Sequence, residues 1–245
     1  EPTTLARVPP GRSGAAVVAL CLLAGCGDDS AGPVHRPAPV FGDATLRGRV
    51  TFVGTPPPVR MLANDTCHAG ARPIPDETVV IGPTGGLANV IVYLEGVPAS
   101  DGSTRDRIIM DQKSCQYLPH VVALQVGQTL RVTTSDPVFH NVHYISRRNG
   151  TKNIGLPSAG DFHDFTFDQP EFIRLRCDVH PWMSAWVGVL DNPFFASTDL
   201  NGSFEVTRIP PGQYTLVTWH ELFGEQRTPV RLEQGLPTTL ELSYG

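Results

Sequence analysis

The sequence predicts an all-β protein. Apolar runs are short and lie between turn residues, and no long run with helical periodicity follows the N-terminal segment. Glycine and proline supply almost a fifth of the 245 residues (24 Gly and 23 Pro). Because short strands separated by such turns are typical of sandwiches and barrels, we expect a Greek-key β-barrel together with a second β-sandwich.

The first 25 residues have the features of an export signal. Arg7 and Arg12 precede an apolar run that is too short to cross a bilayer as a helix. The segment 23–26 (Leu-Ala-Gly-Cys) then resembles a bacterial lipobox, which implies cleavage before Cys26 and attachment of lipid to it. Ordinary secretion with cleavage nearby is the alternative. We therefore expect a periplasmic or cell-surface protein, held to a bacterial membrane only by its N-terminal lipid.

The C-terminal part of the sequence has its own turn-and-strand pattern. Residues 198–214 contain Thr-Asp-x-x-Gly-x-Phe and Ile-Pro-Pro-Gly-x-Tyr, which resemble carboxypeptidase regulatory-like (transthyretin-like) β-sandwich modules. Segments 48–50 and 89–94 are similar to the opening strands of such modules, which implies one sandwich with a domain inserted in it. Two consecutive domains are the alternative. The prediction is a signal peptide at 1–25, a flexible linker at 26–43, a discontinuous sandwich at 44–99 and 192–245, and an inserted domain at 100–191.

Four potential ligands for a soft metal occur in two segments of the inserted domain. Cys177, His180 and Met183 share one seven-residue run, and His140 belongs to a predicted strand well upstream. Two imidazoles, a thiolate and a weak thioether form the ligand set that suits blue copper. Zinc would bind the same thiolate and imidazoles, but zinc sites rarely include methionine. We therefore predict one copper ion bound by His140, Cys177, His180 and Met183.

Two further cysteines, Cys67 and Cys115, remain to be explained. Because an exported protein meets an oxidising compartment, one interpretation is a disulfide between them. Such a bridge would add on the order of 3–4 kcal/mol to stability. Two separate buried thiols are the alternative, since the sequence does not give the distance between the two α-carbons.

The metal-ligand segments also carry a family resemblance. Residues 139–143 (Phe-His-Asn-Val-His) and 177–183 (Cys-Asp-Val-His-Pro-Trp-Met) resemble the copper motifs of the cupredoxin family, the amicyanin type in particular and pseudoazurin and plastocyanin more distantly. The resemblance implies a Greek-key fold, a type 1 copper, and transfer of single electrons between periplasmic partners. It extends over about residues 105–191 and includes Tyr117, Pro119, Val126, Gly127 and Thr129.

Four neighbours of the ligands are expected to shape the site. Asn141 follows His140 directly, where it can join the two ligand segments and form a hydrogen bond near the sulfur. Pro181 and Trp182 are expected to cover His180 with apolar surface. The family resemblance further implies that the carbonyl of Phe139 faces the metal.

Charge and motifs narrow the function classes. The net charge is −5 and no basic patch stands out, so nucleic acid is not an expected partner. No nucleophile–base arrangement or phosphate loop is evident, so we do not expect an enzyme. The favoured function is a one-electron carrier with a cytochrome or periplasmic oxidoreductase as partner. The alternatives are a copper-binding or delivery lipoprotein, and a binding module in which copper is incidental.

Overall fold

The computed structural model describes residues 36–62, Cys67 and residues 72–245, and residues 35–245 form one compact unit. The predicted signal peptide, the lipobox cysteine and the first ten residues of the predicted linker lie outside the described residues. Every regular element in the described part of the chain is a β-strand, so the all-β prediction is confirmed. None of the described residues belongs to a helix of the length and apolarity that a membrane crossing requires.

The strands are numbered here in chain order. They are β1 (Ala44–Phe52), β2 (Met61–Leu62), β3 (Ile74–Pro75), β4 (Ile91–Glu95), β5 (Ile108–Lys113), β6 (Gln116–Leu118), β7 (Val121–Gln125), β8 (Leu130–Thr134), β9 (His140–Ile145), β10 (Thr151–Leu156), β11 (Phe162–Phe165), β12 (Glu171–Arg176), β13 (Ser184–Leu190), β14 (Phe195–Ser197), β15 (Ser203–Ile209), β16 (Gly212–His220), β17 (Gly224–Leu232) and β18 (Pro237–Tyr244).

Strands from both ends of the described chain build the first sandwich. One sheet has the order β15-β1-β18 and the other the order β14-β4-β16-β17. Alternate residues of β1 and β15, including Leu46, Phe204 and Val206, point inward and share a core with Val92 and Leu216 of the opposite sheet. Because β1 pairs in parallel with β18, the first and last described strands are neighbours.

The intervening strands build the second sandwich, which we call the barrel. Its sheets have the orders β10-β9-β12-β13-β7 and β11-β8-β5-β6. Leu124, Leu130, Tyr144, Phe167 and Ile173 are buried in the core between them. The four sheets thus fit the expected fold class, whereas the domain bounds at residues 99, 100, 191 and 192 stay predictions.

The two sandwiches share an apolar interface. Trp219 of β16 stacks on Phe172 of β12 with ring centroids 4.3 Å apart, and Trp186 of β13 meets Trp219 at 5.2 Å. The absence of a side chain at Gly188 permits this approach, because a Cβ there would lie 2.6 Å from Cδ1 of Ile91. Strand β13 is therefore covered on both faces, which accounts for its almost continuously apolar sequence.

A buried polar link accompanies the aromatic interface. Glu221 directly follows β16. Its carboxylate accepts a hydrogen bond from Nε1 of Trp186 (2.8 Å) and lies 2.5 Å from Nε2 of His120. Burial by itself would lower the pKa of His120, but the hydrogen bond to Glu221 and the charges of Glu221 and Glu77 raise it. The link therefore joins the barrel to the first sandwich by a charge-assisted hydrogen bond.

Residues 36–43, the described part of the predicted linker, are packed against the protein. The backbone N–H of Asp101 donates to the carbonyl of Pro37 (2.9 Å), and Phe41 meets Phe194 edge-on at 5.9 Å. The flexibility of the linker stays a prediction. A composition rich in proline disfavours a regular strand, but it leaves aromatic and backbone contacts available.

Candidate metal centre

The four predicted ligands meet at one end of the barrel. His140 begins β9, Cys177 directly follows β12, and the chain returns through His180 and Met183 into β13. Two backbone hydrogen bonds close this return, from the N–H of Cys177 to the carbonyl of Met183 (3.2 Å) and from the N–H of Met183 to the carbonyl of His180 (2.9 Å). A short closed loop thus presents three of the side chains, and a neighbouring strand presents the fourth.

All four side chains are buried and three of them are in contact. Sγ of Cys177 lies 4.0 Å from Nδ1 of His140 and 3.7 Å from Nδ1 of His180. The exposed fractions are 0% for His140, 2% for Cys177, 4% for His180 and 1% for Met183, whose side chain belongs to the same core cluster as the thiol. Both imidazoles therefore present the same ring nitrogen to one sulfur.

These separations fit a shared metal ion. Protein thiolates and imidazoles bind first-row metals at about 2.3 and 2.0 Å, so two such ligands of one ion lie at most about 4.3 Å apart. The two sulfur–nitrogen distances, 4.0 and 3.7 Å, fall within that limit. One sulfur, two nitrogens and a buried methionine form a donor set of types that copper accepts.

Protonation also favours metal binding at Cys177 and His180. Burial would raise the pKa of Cys177, but hydrogen bonds from His140 and from backbone N–H groups outweigh burial and lower it below its usual value. The thiolate, which is the metal-binding form, is thereby favoured. Burial and the neighbouring His140 lower the pKa of His180, so its ring is neutral and keeps a lone pair for a metal.

Asn141 joins the two ligand segments, as expected from its place beside His140. Its Oδ1 accepts hydrogen bonds from Sγ of Cys177 (3.2 Å) and from the backbone N–H of Asp178 (2.7 Å). Its Nδ2 donates to Oδ1 of Asn153 (2.6 Å) and to the Asp178 carboxylate (3.0 Å). The sulfur is consequently fixed between β9 and the ligand loop.

The other three predicted neighbours differ in exposure. Trp182 is half-buried, with its ring 5.3 Å from the ring of His180, and its Nε1 donates to the carbonyl of Cys115 (3.1 Å). Pro181 is exposed, and Phe139 is 47% exposed. Trp182 therefore packs against the His180 ring, and the covering role of Pro181 stays a prediction.

Asp136 is a member of the site that the sequence reasoning missed. Its buried carboxylate lies 3.0 Å from Nε2 of His140 and accepts hydrogen bonds from the backbone N–H groups of Ser114 (2.7 Å) and Cys115 (2.8 Å). With Nε2–H donating to this carboxylate, Nδ1 is the ring nitrogen that can bind a metal once it has lost its proton. The sequence feature that could have indicated Asp136 is an acidic residue four positions before His140.

Cys67 and Cys115 form a disulfide beside the site. Their sulfurs are 1.94 Å apart, and both side chains are buried. Sγ of Cys115 lies 3.9 Å from Nε2 of His140. Because the bridge closes a loop with a sequence separation of 48, chain entropy gives it a stabilisation of about 4 kcal/mol.

Cys115 competes with Cys177 as a metal ligand on distance alone. Ligand atoms of Cys115, His140 and His180 all lie within 4.8 Å of one another. However, a sulfur in a disulfide carries no thiolate charge, and Cys177 is the free cysteine of the described chain. Chemistry therefore favours Cys177 as the sulfur ligand.

Comparisons with known proteins were made against families, curated sequences and solved structures. No protein-family model and no curated protein matches the chain. Similar solved structures include a purple cupredoxin from Nitrosopumilus maritimus (23% identity, 34% of this chain, 99% of that chain, TM-score 0.30). Amicyanin from Paracoccus versutus (17%, 40%, 97%, 0.32) and a copper-containing nitrite reductase from Thermus scotoductus SA-01 (19%, 40%, 25%, 0.32) are also similar.

These likenesses cover two fifths of the chain or less, and their TM-scores are too low to carry an argument about function. The ligand geometry therefore has to support any functional assignment by itself. The transthyretin-like character of the first sandwich stays a prediction.

Proposed function

We propose that this protein binds one type 1 copper ion through His140, Cys177, His180 and Met183 and carries single electrons. The observation that carries the proposal is the buried thiol of Cys177 in contact with Nδ1 of two histidines that come from separate segments. Copper bound there would supply a reversible one-electron couple.

The residues around the ligands support transfer of electrons rather than conversion of a substrate. Oδ1 of Asn141 accepts from the backbone N–H of Asp178, next to Cys177, and Asp136 accepts from Nε2 of His140; these hydrogen bonds hold the two ligand segments in place. Burial of all four ligands excludes water from them. We propose a carrier and not an enzyme, because four protein ligands leave no open position for a substrate.

The proposed partner is a redox protein, such as a cytochrome or a periplasmic oxidoreductase. It would approach the ligand end of the barrel, where Phe139 (47% exposed) and Val179 (49% exposed) offer apolar surface beside the ligands. The disulfide supports an oxidising compartment. Attachment through lipid on Cys26 is part of this proposal.

The test is a visible and electron paramagnetic resonance spectrum of the full chain loaded with Cu(II). We expect an intense thiolate-to-copper charge-transfer band and a narrow copper hyperfine splitting. Cys177→Ser should remove the band and leave the far-ultraviolet circular dichroism unchanged. As a control, Met110→Leu, in the same core, should keep both signals.

The alternatives give different results in the same experiment. A colourless protein that still holds stoichiometric copper would overturn the electron-carrier proposal and favour copper delivery. A preference for zinc over copper in direct competition would overturn the assignment of the metal.

A further inference from the structure

The two ring nitrogens of His140 face different sulfurs. Nδ1 lies 4.0 Å from Sγ of Cys177, and Nε2 lies 3.9 Å from Sγ of Cys115. The proposed copper site uses only Nδ1. The surroundings of Nε2 are therefore a separate place in the structure, on the side of the ring that meets the disulfide.

Two more potential ligands, Cys115 and Asp136, lie beside Nε2, and Cys67 adjoins both of them. The Asp136 carboxylate is 3.0 Å away, and ligand atoms of Cys67, Cys115 and Asp136 all lie within 4.8 Å of one another. Their exposed fractions are 2% for Cys67, 0% for Cys115 and 6% for Asp136. Two sulfurs, a carboxylate and an imidazole are four donors of the types that Zn²⁺ binds.

The disulfide keeps this set from binding a metal. Sulfurs that share a bond carry no charge, and only thiolates are strong metal ligands. In the oxidised chain the carboxylate of Asp136 serves instead as the acceptor for His140, Ser114 and Cys115. Breaking the bond would supply two thiolates without requiring any other residue to enter the site.

We propose that reduction of the Cys67–Cys115 bond creates a second metal site, for a borderline-soft divalent cation such as Zn²⁺. Its ligands are the two released thiolates, the Asp136 carboxylate and Nε2 of His140. The inference goes beyond the proposed function and does not depend on it, because it involves neither Cys177 nor His180. The intact disulfide therefore prevents a second metal from binding Nε2 of His140.

The reduction balances with a dithiol as the reductant. The dithiol gives two electrons and two protons, the bond between the sulfurs of Cys67 and Cys115 breaks, and the dithiol becomes a disulfide. Each new thiol then loses its proton to solvent as its sulfur binds Zn²⁺, and the proton on Nε2 of His140 passes to Nδ1, so that the ring stays neutral and Nε2 can bind the cation. The sum is one cation bound and two protons released for each disulfide reduced.

The test uses the full chain carrying Cys177→Ala, in which the first site has lost its thiolate. Zinc is measured by mass spectrometry after gel filtration under argon, before and after reduction with a dithiol. We expect tightly bound zinc to rise from none to about one ion per chain. With Co²⁺ as the probe, reduction should produce thiolate-to-cobalt charge-transfer absorption.

Two further variants in this background locate the zinc. Cys67→Ser/Cys115→Ser retains every cysteine outside the proposed site except Cys177, and should bind no additional zinc after reduction. Asp136→Asn should weaken zinc binding by about tenfold or more. Asp168→Asn, an exposed carboxylate elsewhere on the barrel, is the matched control and should leave it unchanged.

Each failure has one meaning. The proposal is overturned if the reduced chain keeps its near-ultraviolet circular dichroism but binds no zinc, or if the double serine variant binds as much as its parent. If reduction alone unfolds the chain, zinc is added during reduction. Recovery of the near-ultraviolet signal then supports the site, and lack of recovery overturns it.

Discussion

His140 is held from both sides of its ring, and this arrangement determines how it can act. Asp136 accepts at Nε2, and Cys177 lies at Nδ1. Burial by itself would lower the pKa of His140, but the contacts with Cys177 and Asp136 outweigh burial and raise it. A metal at Nδ1 must therefore displace a proton there, so we expect copper binding to weaken as the pH falls.

Met183 offers a test of the ligand set at the level of one atom. Met183→Leu keeps the volume and burial of the side chain but removes its sulfur, so we expect a small change in stability, below about 1.5 kcal/mol. Because the Met183 thioether would donate weakly to bound Cu(II), its loss should raise the reduction potential. Voltammetry of the copper-loaded protein measures the shift.

Met110 provides the matched control for this change. It is buried in the same core, at 0% exposed against 1% for Met183, and it lies in β5 and not in the ligand loop. Met110→Leu should leave the potential unchanged. Equal potentials in the two variants would show that Met183 does not bind the copper.

The residues of the candidate site that lie in one segment could be picked out from sequence because their spacing reflects local structure. Cys177, His180 and Met183 lie in one loop, whose closure depends on neighbouring residues. Asp136 and Cys115 could not be assigned to the site in the same way. Their approach to His140 depends on how β5, β6 and β9 pack, which no short pattern encodes.

Among the elements, alternation of apolar residues predicted most of the long strands and missed the short strands β2, β3, β6 and β14 and the exposed strand β10. The prediction of a strand at 140–145 agrees with β9. Strand β10 was not predicted, because its sequence Thr-Lys-Asn-Ile-Gly-Leu is mostly exposed at the edge of its sheet. An edge strand that faces solvent carries little apolar signal, so only its pairing with β9 identifies it.

The turn between β9 and β10 depends on Glu171 at the start of β12. Its carboxylate accepts hydrogen bonds from the hydroxyl of Ser146 and from the backbone N–H groups of Arg147 (2.8 Å) and Arg148 (3.1 Å). Burial would raise the pKa of Glu171, but these hydrogen bonds outweigh burial and lower it. The ionised Glu171 carboxylate therefore stabilises the fold fully above its unfolded-state pKa of about 4.3. This stabilisation is lost as the pH falls through the lower pKa that Glu171 has in the folded chain.

The variant Glu171→Gln tests the contribution of the ionised carboxylate to stability. We expect the free energy of unfolding in urea to fall by about 1–2 kcal/mol at pH 7, and the difference from the parent to shrink below about pH 4. Glu205→Gln is the control, since its exposed pair with Arg47 should contribute less than about 1 kcal/mol. A difference that does not change with pH would contradict the assignment to the ionised carboxylate.

At the scale of the whole molecule, the aromatic interface should make the two sandwiches unfold together. Phe172 and Trp219 are stacked across it, and such ring pairs contribute about 0.5–1.5 kcal/mol beyond their buried area. A double-mutant cycle with Phe172→Leu and Trp219→Leu should return a coupling energy in that range. Urea unfolding followed by tryptophan fluorescence measures it.

A second ring pair serves as a reference for that cycle. Phe52 and Phe223 are 5.5 Å apart and both belong to the first sandwich. Phe52→Leu should lower stability without separating the unfolding of the two sandwiches. A coupling near zero for Phe172 and Trp219, with separate transitions already in the parent chain, would show that the sandwiches are independent.

The pairing of β1 with β18 has a consequence for the order of folding. The hydroxyl of Thr51 donates to the carbonyl of Leu242, 191 positions along the chain. During synthesis from the N-terminus, β5–β13 emerge together and can close the barrel while β1 still lacks its partner. The first sandwich cannot be completed until β18 has been synthesised, because β1 pairs with β18 across a very long loop. We therefore expect the unpaired edges of the first sandwich to be the part of a nascent chain that is most exposed to misassembly.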